Sequence, residues 1–363
     1  MKIREITSII EDFAPLSYQE SYDNAGLIVG NNDDDVNGVL ICLDSTEEIV
    51  DEAIAKNCNL IIAHHPIVFS GIKKLNGKNY IERTIIKAIK NNIAIYAAHT
   101  NLDNATNGVS FKMAEKIGLK NCKVLSPNKN TLSKLVTFCP TDKANEVRQA
   151  IFNAGAGSIG NYDECSFNTD GTGTFRAGEN TNPTVGNIGE QHHEKEVKIE
   201  TIVENYQINN VVKALIDAHP YEEVAYDIYP LKNALNTVGS GIIGELKEEE
   251  SLSFLKRLKT NLKTDCIRHT KLTSKTIKTV ALCGGSGSFL LSNAIAQKAD
   301  IFITGDFKYH QFFDAEDKII IADVGHYESE QFTNELFYDI LSKKITNFAI
   351  HLSEINTNPI NYL

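Results

Sequence analysis

The chain has 363 residues, with 36 Lys and Arg against 47 Asp and Glu, a formal charge of −11 at pH 7. At about 150 residues per domain this length fits two domains, and 42% hydrophobic with 23% charged residues excludes a disordered chain. The acidic balance disfavours nucleic acid as a partner, and no apolar run approaches the ~18 residues of a membrane span.

Residues Met1–Ile6 lack the apolar core of an export signal and read as an amphipathic helix. Gly38–Leu43, Leu60–Ala63 and Ile93–Ala98 are short apolar runs. Between them lie helical segments at Thr46–Lys56, with Ile49, Val50, Ala53 and Ile54 on one face, and at Tyr80–Asn91. Short buried strands alternating with helices predict a parallel or mostly parallel α/β sheet. The middle of the chain differs. A strand at Leu132–Cys139, a helix at Lys143–Ala154 and a turn at Gly155–Gly160 precede a polar, glycine-bearing stretch, Asn168–Glu196, which reads as a loop with a solvated His192-His193 pair. Val197–Val203 alternates as a half-buried strand, Ile208–Ala218 is helical, and Val224–Tyr229 is a strand. The α/β grammar then returns. Strands are expected at Lys278–Leu282, Asp300–Thr304, Lys318–Ala322 and around Asn347–Leu352, with helices at Phe289–Lys298 and from about Glu328 to Leu341. The order predicts an α/β domain of residues 1–125 and 236–363, split by an inserted α+β domain of residues 126–235.

The seven cysteines at 42, 58, 122, 139, 165, 266 and 283 include no CxxC pair. That excludes zinc ribbons and fingers and fits reduced thiols in a cytoplasm.

The chemistry gathers at strand ends. Leu60–Ala63 runs into His64-His65-Pro66, and Ile93–Ala98 into His99-Thr100-Asn101-Leu102-Asp103. Ile301–Thr304 leads to Gly305-Asp306 with His310 beyond, and Ile319–Ala322 to Asp323-Val324-Gly325-His326, with Glu328 and Glu330 following. Ligands of open α/β sheets bind at the carboxyl ends of strands, so these residues are expected to converge. Histidines with carboxylates and no cysteine suit Zn, Fe or Mn. Consecutive side chains of an extended chain point to opposite sides, so His64 and His65 fit two metals better than one. A carboxylate such as Glu330 can bridge metals ~3.5–4 Å apart. His326 and Glu330 are i,i+4 and share a helix face, with Glu328 as the alternative. Cys283-Gly284-Gly285-Ser286-Gly287-Ser288 lacks the Gly-Lys-Ser/Thr ending of a P-loop and reads as a turn near the metal-bearing loops. Lys73, Lys74 and Lys78 lie within reach of an anionic substrate only if their loop approaches the metals.

Asn24-Ala25-Gly26-Leu27-Ile28-Val29-Gly30, Ala63-His64-His65-Pro66, Ala98-His99-Thr100-Asn101-Leu102-Asp103, Thr304-Gly305-Asp306 and Gly325-His326-Tyr327 with Glu330 together resemble one family. It is the dinuclear-metal-centre family called GTP cyclohydrolase 1 type 2 homologues, bacterial relatives of the yeast Ngg-interacting factor three. The resemblance implies that His64 and His65 ligate different metals, that Asp103 and His326 each bind one, and that Glu330 bridges both. It matches His99, Asp306 and His310 to polar positions around the site that support the ligands or touch substrate. Asp306 or His310 is expected to shuttle protons if either lies within ~3 Å of a metal-activated water. The resemblance also implies a ferredoxin-like insert of the PII or CutA type and a homohexameric toroid. The expected function is metal-dependent hydrolysis of a small phosphorylated or purine-like molecule. GTP ring opening and non-catalytic metal storage or regulation are the alternatives.

Overall fold

The computed structural model describes residues 1–346 and 348–363. Two compact units emerge, Met1–Ser126 together with Thr237–Leu363, and Pro127–Asn236.

The larger unit holds two sheets. Among the described residues, the first sheet has the order β1-β4-β3-β2-β15, with β1 at Gly26–Val29, β2 at Val39–Cys42, β3 at Leu60–Ala63, β4 at Ala94–Ala97 and β15 at Ile350–Leu352. Strands β2, β3, β4 and β15 run parallel, and β1 closes one edge antiparallel. Asn347, the first residue of the last expected strand, lies outside the described residues. β2, β3 and β4 are buried throughout because both faces are covered, as parallel sheets require. Val39, Ile41, Leu60 and Ile62 pack with Ile3, Ile6 and Ile10 of helix Ile3–Phe13 and with Phe337 and Leu341 of helix Thr333–Ser342. Leu40, Ile61 and Ile95 meet Ile49, Val50 and Ala53 of helix Glu47–Ala55 and Ile85 and Ala88 of helix Tyr80–Lys90 on the other side. Side-chain oxygens start both of these last helices, Thr46 accepting from the Ile49 N–H and Asn79 from the Glu82 N–H.

The second sheet has the order β11-β14-β13-β12-β10-β5. Its strands are β5 at Lys120–Asn128, β10 at Leu235–Glu250, β11 at Arg268–His269, β12 at Thr276–Ser286, β13 at Ile301–Gly305 and β14 at Ile320–Asp323. β12, β13 and β14 are parallel. Here the structure corrects an expectation. Cys283–Ser286 is the continuation of β12, not a turn, because pairing resumes at Ser286 with Gly305 after a register shift. The expected helix from Glu328 to Leu341 is also two pieces, His326–Glu330 and Thr333–Ser342.

The smaller unit is a four-stranded sheet of order β7-β8-β6-β9, made of β6 at Leu132–Pro140, β7 at Ser166–Arg176, β8 at Gln191–Glu204 and β9 at Tyr226–Pro230. Helices Ala144–Asn153 and Ile208–Ala218 complete a β-α-β-β-α-β order, the ferredoxin-like arrangement. Their residues Val147, Ile151, Val211 and Leu215 cover Leu135, Val197, Ile199 and Val203. The stretch read as a loop contains β7 and the first residues of β8, in continuous antiparallel register from Ser166–Thr201 to Arg176–Gln191. Polar and glycine residues on an exposed strand carry no apolar alternation, so periodicity cannot reveal it. The His192-His193 pair accordingly sits in a strand. Among the described residues, no helix is long and apolar enough to cross a membrane.

Candidate metal centre

The carboxyl ends of β2, β3 and β4 from the first sheet and of β12, β13 and β14 from the second supply the polar cluster. Beyond β3 the chain bends at His64 and His65, and both N–H groups reach the Leu43 carbonyl, at 3.1 and 3.0 Å. The bend overrides the alternation of an extended strand and sets the two imidazoles side by side, their ring centroids 4.9 Å apart. His64 is wholly buried, and its Nδ1 donates to the Ala98 carbonyl at 2.9 Å. His65 places Nδ1 2.7 Å from Asp44 Oδ1. His326 opens a short helix and holds Nδ1 2.7 Å from Asp306 Oδ2. His99, just ahead of helix Thr100–Asn104, holds Nδ1 2.7 Å from Asp23 Oδ1. All four rings thus spend Nδ1 on an oxygen and keep Nε2 for the cluster, the arrangement that oriented metal ligands share.

Glu330 stands at the middle. Its Oε2 lies 2.9 Å from His65 Nε2 and 3.0 Å from His326 Nε2, while Oε1 lies 3.6 Å from His64 Nε2. Asp103 Oδ1 is also 3.6 Å from His64 Nε2. Two triads, His64–Asp103–Glu330 and His65–His326–Glu330, bring their ligand atoms within 4.8 Å of one another, and His64, His65 and His99 form a third such group. His64 Nε2 and Asp103 Oδ1 are buried and have no hydrogen-bond partner. A cation satisfies both at once, so the residues present fit a divalent metal. Glu328 points elsewhere, accepting from Asn358 Nδ2 at 3.1 Å.

The charges agree. Burial opposes protonation of His65, but hydrogen bonds to Asp44 and Glu330 outweigh it and push its pKa up to about 10. Burial is likewise outweighed at His326, where the Glu330 charge and the Asp306 bond push the value up to about 11. Burial raises Asp103 to about 7, with the nearby Glu330 charge adding to it. Against its own burial, Glu330 is held well below the usual carboxylate range by His326 and His64. Protons occupy places that a cation would take.

The expected shuttles do not reach this centre. Asp306 is committed to His326, and its carboxyl is held down chiefly by that hydrogen bond. His310 stacks among Tyr309 and Phe313, outside the cleft. Sequence reasoning missed Asp44 and Asp23. Asp44 follows β2 and obeys the same strand-end rule, so it was findable. Asp23 lies in an irregular segment and becomes visible only through His99 and Thr100, whose backbone N–H it accepts at 2.9 Å. Gly285 was read as part of a turn. Its φ of +61° and the overlap that a Cβ would make with Glu330 Oε1 show that β12 must lack a side chain there.

A cleft of about 530 Å3 opens onto the cluster, reaching His65, His99, Asp103, His326 and Glu330. Tyr22, Phe69 and Phe289 form aromatic walls, and Phe69 meets the His99 ring edge-on at 6.1 Å. Among the described residues lining it, none is Lys or Arg, and Lys73, Lys74 and Lys78 lie outside it.

A model of the family described as Duf34/NIF3 (NGG1p interacting factor 3) matches residues 1–359. A Halalkalibacterium halodurans protein named "GTP cyclohydrolase 1 type 2 homolog" is 40% identical over 364 residues, 99% of this chain and 98% of its own. A Bacillus subtilis protein of the same name is 36% identical over 371 residues, 99% of this chain and 98% of its own. Among solved structures, a Bacillus cereus protein described as related to NIF3 superposes with a TM-score of 0.87 at 39% identity, covering 100% of this chain and 99% of that one.

Proposed function

Because the chain belongs to the Duf34/NIF3 family, we propose that it is a dinuclear metal-dependent hydrolase of a small, purine-like molecule. His64 and Asp103 would hold one divalent cation and His65 and His326 the other, with Glu330 shared between the two pairs. The division of Glu330 carries this reading: one oxygen faces His64 and the other faces His65 and His326. Divalent ions in such a site supply Lewis-acid polarisation of an electrophile and a lowered pKa for water.

The chain's own residues do the rest. Asp44 and Asp306 hold His65 and His326 at their ring orientations. His99, fixed through Nδ1 by Asp23, lines the cleft and takes the proton-transfer role in place of Asp306 and His310. Tyr22, Phe69 and Phe289 offer faces on which a flat ring stacks. No lysine or arginine lines the cleft among the described residues, so a triphosphate finds no side-chain cation there. That favours a ring over a phosphorylated group, and places GTP behind simpler purines as a substrate.

The test joins metal counting to turnover. Protein purified without chelators should carry close to two divalent ions per chain by plasma mass spectrometry, and Glu330→Gln should lose most of both. Turnover should appear against a panel of purines, nucleosides and GTP and vanish in His65→Ala. A metal count near zero overturns the reading. Two retained ions with no turnover across the panel replace hydrolysis with metal storage.

A further inference from the structure

The ferredoxin-like unit contains its own cavity, built entirely from its own residues and independent of the metal centre. It measures about 590 Å3, the size of a small-molecule site. Its base is Glu196 on β8, which is only 9% exposed. Glu196 Oε1 accepts from the Tyr221 hydroxyl at 3.0 Å, and the residue lines the cavity. A carboxylate so withdrawn from water gains from a charged donor beyond the neutral Tyr221 hydroxyl.

The room around it comes from the neighbouring strand. Gly171 of β7 pairs directly with Glu196, and a Cβ at Gly173 would overlap Glu196 Oε2. Both glycines belong to the stretch that looked like a solvated loop. The β7–β8 connection forms the roof, tied down where the Asn182 N–H donates to Glu222 Oε1 at 2.8 Å and the Thr184 hydroxyl to the Pro220 carbonyl at 2.7 Å. Phe175 and Tyr221 supply aromatic wall, their ring centroids 6.2 Å apart. Asp170, Glu196, Glu222 and Glu223 outnumber Arg176 and Lys198 in the lining.

We propose that this cavity binds a small organic cation, an amine or amidine carried on an apolar or aromatic body, with the cationic N–H groups donating to Glu196 Oε2. The aromatic wall adds attraction for the same charge. An anion is repelled by the carboxylate at the base.

The test uses the full chain with its metals in place and three probes of one shape: benzamidine, neutral benzamide and anionic benzoate. Saturation-transfer NMR titration should show benzamidine binding in the millimolar range or tighter, with benzamide weaker and benzoate absent. Glu196→Gln should weaken benzamidine by about tenfold or more, as loss of a charge-assisted hydrogen bond implies. His65→Ala should leave it unchanged, which separates this cavity from the metal cleft. The order of the three probes on the unmutated protein decides the matter even if Glu196→Gln fails to fold. Equal binding of benzamidine and benzoate, no binding of benzamidine, or indifference to Glu196→Gln overturns the proposal.

Discussion

Three imidazoles face Glu330 and a fourth, His99, groups with two of them, and each of the four is held by a different oxygen: the Ala98 carbonyl, Asp44, Asp306 and Asp23. Those oxygens decide which ring nitrogen meets the cluster, so they divide the work of the site. Asp44 serves a proposed ligand, and its replacement by Asn should weaken metal retention by about 10–100-fold. Asp23 serves His99 instead. Asp23→Asn should leave the metal count intact while kcat falls by about a hundredfold, the scale of a lost acid–base partner. Metal analysis and steady-state kinetics on the same sample check both, and an unchanged kcat in Asp23→Asn removes His99 from proton transfer. The ligand candidates were legible because they sit in motifs. Their holders were not, since Asp23 and Asp44 are ordinary acidic residues until the fold brings a ring beside them.

At the scale of elements, the second sheet reaches the centre through β12. Its end is bulged and rich in glycine, and the Gly285 N–H donates to Ser329 Oγ at 2.8 Å, pinning the strand against helix His326–Glu330. Gly285→Ala meets two obstacles, a left-handed backbone and overlap with Glu330. The expected cost is about 1–3 kcal/mol of stability together with loss of bound metal, read by thermal melting and metal analysis. Unchanged melting and full metal would show that the strand end yields freely. Elements with apolar periodicity were readable from sequence. Leu60–Ala63 and Ile208–Ala218 have the expected bounds, because burial of one face writes itself into residue order. β7 was invisible because its register comes from backbone pairing with β8 rather than from apolar side chains.

For the whole molecule, the polar cluster makes stability depend on pH and on metal. In the metal-free protein, His65 and His326 have folded values of about 10 and 11 against an ordinary 6.5. The folded state therefore binds more protons than the unfolded one, and this stabilisation is complete below about pH 6.5 and lost as pH rises through the folded values. Asp103, raised from 3.8 to about 7, acts in the same direction between those values. Glu330, depressed, acts oppositely and only in acid, where its contribution is lost as pH falls below the ordinary carboxylate range. Chelated protein should thus melt at progressively lower temperature from about pH 6 to pH 9, while added zinc should raise the melting temperature by an increment that grows over the same interval. Protons and metal compete for the same nitrogens. A zinc increment independent of pH would mean that metal binds elsewhere.

The sequence by itself determined the residue types, the strand ends that carry them and the α/β alternation, since each is local and follows from burial or spacing. It also carried the family through motifs whose order survives in one dimension. Only the tertiary structure decided that two sheets, not one, bring these ends together. The last strand, β15, returns from the far end of the chain to pair with β2, a choice made by long-range backbone hydrogen bonds. The same holds for Glu330 over Glu328. Both carboxylates are buried on one short helix, and only packing turns one toward the histidines and the other toward Asn358. The −11 of the whole chain says little about the cluster, because solvent and ions screen distant charges within about 10 Å while the few groups around Glu330 act on one another directly.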